Sequence, residues 1–170
     1  MGVETSIDRL RGGCGVVASA SFMPSASAYG AGDVIDGPKE FIFRDFAGAI
    51  VPAGTLIRLL SSVLKIGQTA LQSSEAVYSL PLFSVTPPSD QADNAAYTLD
   101  AADLTAYRGM VTLGTPVDLG GACYIKRRVS ETDEQDFNLT GNSLWGRLVT
   151  APGFTPGAVA RQVFLYGMIV

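Results

Sequence analysis

Apolar and polar residues alternate along this chain in short runs, and glycine or proline interrupts most of them. A period of two marks strands with one buried face. Gly15–Phe22, GVVASASF, reads as the first strand, and Met23-Pro24-Ser25 breaks it. Residues 29–35 form a second candidate, where Gly30 and Gly32 suggest a bulge or a close backbone approach. Asp36-Gly37 is a hairpin-type turn signal. In residues 40–46, Phe41 and Phe43 fall on one side and are expected to anchor the core.

Residues 55–66 are the longest apolar segment. Leu56, Leu59, Leu60, Val63 and Leu64 fit a helical stripe, while Leu56, Leu60, Leu64 and Ile66 fit one face of a strand. The β-like flanks favour a strand, with residues 66–69 as a hairpin loop leading towards Tyr78. Residues 78–113 then read as strand, loop, short helix, strand. Tyr78, Leu80 and Leu82 alternate with their neighbours, and Pro87-Pro88, which lack an N–H for a ladder, stop the strand. Residues 89–94 are turn chemistry. Asp100 can N-cap an α-helix over 101–107, with Asp103 in its first turn and Gly109 just past its end. Further strands are expected at 110–113, 122–128, from 137, at 144–150 and at 159–170. In the last, Val163, Leu165, Gly167 and Ile169 alternate with Gln162, Phe164, Tyr166 and Met168. Ending in apolar residues, that strand is expected to pair into a sheet or a partner. The pattern predicts an all-β fold: an antiparallel β-sandwich or jelly-roll-like barrel with one short α-helix, over a single domain 14–170. Residues 1–13 lack periodicity. They read as an N-terminal arm, either frayed or ordered against a neighbouring subunit.

Composition sharpens this picture. Hydrophobic residues make up 47% of the 170 and charged residues 16%, below the roughly 25% charged of an average domain. Mean hydropathy is +0.26. Much of the surface is therefore weakly polar or covered by partners. No apolar run reaches the ~18–20 residues of a membrane span, and MGVETSIDRLRGG lacks the apolar middle of a signal peptide. The expectation is synthesis in a cytoplasm with no membrane partner. A net charge of −4 argues against a nucleic-acid partner, which needs a basic face. Cys14 and Cys123 lie far apart in sequence; a disulfide between them is open, with a reduced, buried pair of thiols the default expectation.

Candidate chemistry is sparse. The chain has no histidine, which removes every Ser-His or Cys-His nucleophile pair and the commonest general base. Gly12-Gly13-Cys14-Gly15 precedes a strand and is a poor phosphate cradle. Glu131, Asp133, Glu134 and Asp136 lie beside Lys126, Arg127 and Arg128, which reads as a solvated hairpin tip with no apolar pocket to raise a catalytic acid's pKa. Asp90, Asp93 and Asn94 could offer oxygens to calcium but read first as a turn. No cofactor, metal site or enzymatic activity is expected.

One resemblance adds to this reading. A strand ending at Pro87-Pro88, then Ala92-Asp93-Asn94-Ala95-Ala96 with Tyr97 following, a short helix and a return strand, is similar to small structural proteins of tailed bacteriophages. Residues 28–35 (AYGAGDVI), 144–150 (LWGRLVT), Thr155-Pro156-Gly157 and the apolar last strand extend the likeness from about Ser19 onward. The resemblance implies a virion protein. The leading reading is a capsid decoration or cement protein on the head surface, binding the major capsid protein and itself, with a trimer favoured. The expected contact residues are Ile7, Leu10 and Arg11 in the arm, Asp90, Asp93 and Asn94 in the loop, and Arg127, Arg128 and Glu131 at the charged tip. The second reading is a tail or fibre module that binds host carbohydrate through aromatics near Trp145 and Tyr124. A hydrolase is a distant third.

Overall fold

A computed structural model describes residues 15–129 and 136–170. The arm with Ile7, Leu10 and Arg11, Cys14, and Glu131 at the charged tip lie outside the described residues. Eleven strands follow in chain order: β1 Gly15–Phe22, β2 Val34–Ile42, β3 Arg44–Asp45, β4 Leu56–Ile66, β5 Tyr78–Phe83, β6 Tyr107–Gly114, β7 Val117–Asp118, β8 Cys123–Arg128, β9 Asp136–Asn138, β10 Ser143–Thr150 and β11 Arg161–Ile169. They form two antiparallel sheets. The larger runs β3-β1-β11-β4-β8-β7, with β9 also on β4, and the smaller runs β2-β10-β5-β6. The all-β antiparallel sandwich is as expected. The short helix is not: Ala101–Asp103 form a single 3-10 turn. Asp100 caps it as anticipated, its carboxylate accepting from the Ala102 N–H. A continuing α-helix is precluded because the chain enters β6 at Tyr107.

The sheets meet through alternating side chains. Val16, Ala18, Phe22, Ile57, Leu59, Leu64, Ile66, Val163 and Leu165 from the larger sheet pack against Phe41, Leu80, Leu82, Val111, Leu113, Leu144 and Leu148 from the smaller. Phe41 and Phe43 are both fully buried, as their alternation predicts. The apolar strand β11 is central, between β1 and β4, and the Val170 N–H donates to the Leu56 carbonyl.

Three expectations change. Asp36-Gly37 does not turn a hairpin. It lies inside β2, with Asp36 at φ 63°, where the register against β10 shifts. The Asp36 carboxylate then accepts from the Met23 and Gly37 N–H groups and pairs with Lys39, so a turn-forming residue serves a bulge. The segment 55–66 is a strand, but Leu56 and Leu60 are exposed. A register shift between Tyr166 and Gly167 passes over Leu60, so Ile57, Leu59, Leu64 and Ile66 supply the core side instead. Nor does β4 turn back onto β5. The chain crosses from one sheet to the other over residues 67–77.

Candidate partner interface

The long connection between β5 and β6 covers the outer face of the small sheet. It is held by Arg147 of β10, whose guanidinium is buried and donates to the Ser89 and Gln91 carbonyls. Ser89 in turn donates its N–H and hydroxyl to the buried carboxylate of Asp103. Burial lowers the Arg147 pKa, and nearby Asp103 opposes that shift. This cover explains why Tyr78, Leu80, Pro81, Leu82 and Phe83 are all buried where half were expected to face water.

The loop candidates divide in use. Asp93 accepts from the Tyr29 hydroxyl at 2.5 Å and the Asp36 N–H at 2.7 Å. Burial alone would raise its pKa, but these bonds hold its carboxyl below the usual range. Asn94 sits at φ 65° and donates its N–H to the Val34 carbonyl. Both residues shape the loop from within. Of the tip candidates, Arg127 pairs with Ser62 and reaches across to the Thr112 carbonyl on β6. Arg128 pairs with Ser61 and is exposed. Adjacent residues on a strand point to opposite faces, so these two arginines do not share a surface. Tyr124 is on the large sheet and Trp145 on the small one, so they do not build one aromatic platform.

A different surface stands out at one end of the large sheet. Phe46 is 68% exposed and Val170 59%, and Leu56, Met168 and Ile169 are also exposed. Register places Met168, Val170 and Leu56 on one face of the sheet, while Ile169, between Met168 and Val170 on the chain, points to the other. Gly15 pairs with Met168, Met168 with Arg58, and Ile169 with Ile57. The Phe46 ring lies over Gly15, where an added Cβ would meet it at 2.2 Å. Exposed apolar side chains gathered on one face make this the candidate partner surface. It surrounds Gly15, the first described residue.

Buried charged groups elsewhere serve the fold. Arg161 and Glu75 are fully buried and paired at 2.7 Å. Glu75 also accepts from the Tyr78 hydroxyl, the Gln72 N–H and the Gln68 amide, and Arg161 donates to the Gly157 and Val159 carbonyls. Burial and the Glu75 charge push the Tyr78 hydroxyl far above its ordinary pKa. The cluster ties residues 67–77 and 151–160 to β11.

No family model and no curated protein matches the chain. Among solved structures, it aligns with a chain of the Triatoma virus empty capsid at 13% identity, covering 91% of this chain and 87% of that one, with a TM-score of 0.31. It aligns with a chain of the Israel acute paralysis virus pentamer at 10% identity, covering 91% and 88%, with a TM-score of 0.30. A second Triatoma virus structure aligns at 13% identity, covering 88% and 61%, with a TM-score of 0.31. Overlaps this loose do not bear on function.

Sequence reasoning missed the apolar end surface. The exposure of Phe46 follows from β3 being only two residues long, which alternation does not reveal. The pairing of Gly15 with Met168 joins the two ends of the described chain, and no local pattern carries that information.

Proposed function

We propose that this is a virion structural protein that works by covering area on its neighbours, as an auxiliary capsid protein of a tailed phage that decorates and stabilises the assembled shell. The observation that carries this reading is the apolar end surface of Phe46, Leu56, Met168 and Val170, set around Gly15, the first described residue. The sequence likeness to small tailed-phage virion proteins gives the context. A protein that binds the assembled shell and not its dissociated subunits stabilises the shell by mass action. A homotrimer on local threefold axes suits that role, because closed symmetry buries the apolar end without leaving an open filament. The contacts to the major capsid protein are assigned to Ile7, Leu10 and Arg11 of the arm, Asp90 of the loop, and Arg128 and Glu131 of the tip. Asp93 and Asn94 set the loop's shape.

Deletion of residues 2–12 tests this reading. The truncated chain is expected to fold with unchanged stability and to lose co-sedimentation with heads that lack the protein. Unchanged co-sedimentation would remove the arm from the account. The carbohydrate-binding reading gains no support from the separation of Tyr124 and Trp145.

A further inference from the structure

The net charge of −4 is not spread evenly. Paired residues of an antiparallel ladder share a face, so the outer face of the large sheet can be read row by row. One row runs Arg44, Val17, Tyr166, Ser61, Arg128 across β3, β1, β11, β4 and β8. The next runs Ser19, Phe164, Val63, Lys126, and the third Ser21, Gln162, Lys65, Tyr124, Val117. A fourth, beyond the bulge, holds Met168, Arg58 and Asp136. Five of the ten lysines and arginines among the described residues thus lie on this face. Asp136 is the one acid that register places there among the described residues, and Arg58 holds it through two hydrogen bonds.

The centre of the face is aromatic. The Phe164 and Tyr166 rings lie on β11 with centroids 6.5 Å apart and planes 18° from parallel. Lys65 Nζ is 4.5 Å from the Phe164 centroid. At the margin, a groove of about 370 Å³ is lined by Val17, Ser19, Glu40, Ile42, Arg44 and Phe164. Its Glu40 carboxylate is fixed by the Ser143 hydroxyl at 2.6 Å.

We propose that this face binds a single strand of nucleic acid. Rings on a central strand flanked by cations on neighbouring strands provide stacking for bases and neutralisation for phosphates. Arg44 and Arg128, four strand spacings apart, span roughly 19 Å. Arg44 and Glu40 in the groove present a donor and an acceptor to a base edge. An acidic protein surface would use the cations but has no need of the rings. A duplex would keep its bases from them. Net charge pointed away from nucleic acid because it averages over faces that strand order separates. This inference does not rest on the virion reading.

The test uses the full-length chain and a fluorescent oligothymidylate of about 20 nucleotides, read by anisotropy. Binding is expected at low salt. With four cations that form no ion pair with an acid among the described residues, the salt slope should reach about −2.8, an affinity loss of roughly fiftyfold between about 50 and 200 mM. K65E/K126E and F164A/Y166A should each weaken binding at least about tenfold. R108E, on the small sheet, should not. Trp145 fluorescence during denaturation confirms that each variant folds. Absence of binding at low salt overturns the proposal. So does binding lost in K65E/K126E but kept in F164A/Y166A, since that would identify a surface for acidic protein or a generic polyanion.

Discussion

Glu75→Gln removes one charge from the buried Glu75–Arg161 pair while keeping the side chain's shape. Both side chains are fully buried, so the remaining guanidinium charge has no water to turn to. Breaking such a pair from one side costs about 3–5 kcal/mol. For a domain of this length each kcal/mol shifts Tm by about 2–4 °C, so the melting point should fall by roughly 6–20 °C. Arg161→Met alone should also be costly, because Glu75 would be left charged. Replacing both residues together should cost less than the sum of the single changes, and the cycle measures the coupling. The pair also predicts a pH dependence. Burial by itself raises the Glu75 pKa, but the Tyr78 hydroxyl, the Gln72 N–H and Arg161 outweigh it and hold the carboxyl below its ordinary value. A carboxyl whose folded pKa is depressed contributes its full stability above the unfolded pKa and loses it as pH falls through the folded one. The wild-type chain should therefore lose stability on acidification below the ordinary glutamate range, and Glu75→Gln should flatten that loss. Urea denaturation at a series of pH values reads both effects. A cost below about 1 kcal/mol, the value of an exposed pair, with an unchanged acid limb, would refute the reasoning.

Asp103→Ala removes the acceptor for the Ser89 N–H and hydroxyl and the acid whose charge acts most on Arg147. It should cost about 3 kcal/mol and speed proteolytic cleavage within residues 84–106, with resistance of that loop counting against its role as a fixed cover. Gly167→Ala would place a Cβ 2.5 Å from the Arg58 carbonyl oxygen in the middle of the large sheet; a loss of at least about 1–3 kcal/mol is expected by chemical denaturation. Phe46→Ser should leave stability nearly unchanged yet reduce self-association and shell binding, as read by analytical ultracentrifugation and co-sedimentation.

Local alternation alone makes several strands legible. Gly15–Phe22 is β1 to the residue, 144–150 falls one residue short of β10 at its start, and 159–170 contains β11. Period two survives in these because each has one buried face. It fails in β5, where the covering loop buries both faces, and in β4, where the bulge at Leu60 slips the phase of the apolar set. Asp36-Gly37 misleads for a related reason: the same residues suit a hairpin turn and a bulge, and only the partner strand decides between them. The arginines at 127 and 128 look like one basic tip, yet a strand sends neighbours to opposite faces. The apolar end and the basic aromatic face come from strand order, in which β11 inserts between β1 and β4. Long-range pairing of that kind leaves no local trace.

The central claim is that this molecule acts by covering a neighbour in a virus particle. An image reconstruction of the particle that contains it tests that most directly. The account predicts density for the sandwich on the outer capsid surface, as trimers on the local threefold axes, with the Phe46–Val170 end buried. A chain missing from the particle, or seated there with that apolar end open to solvent, would contradict it.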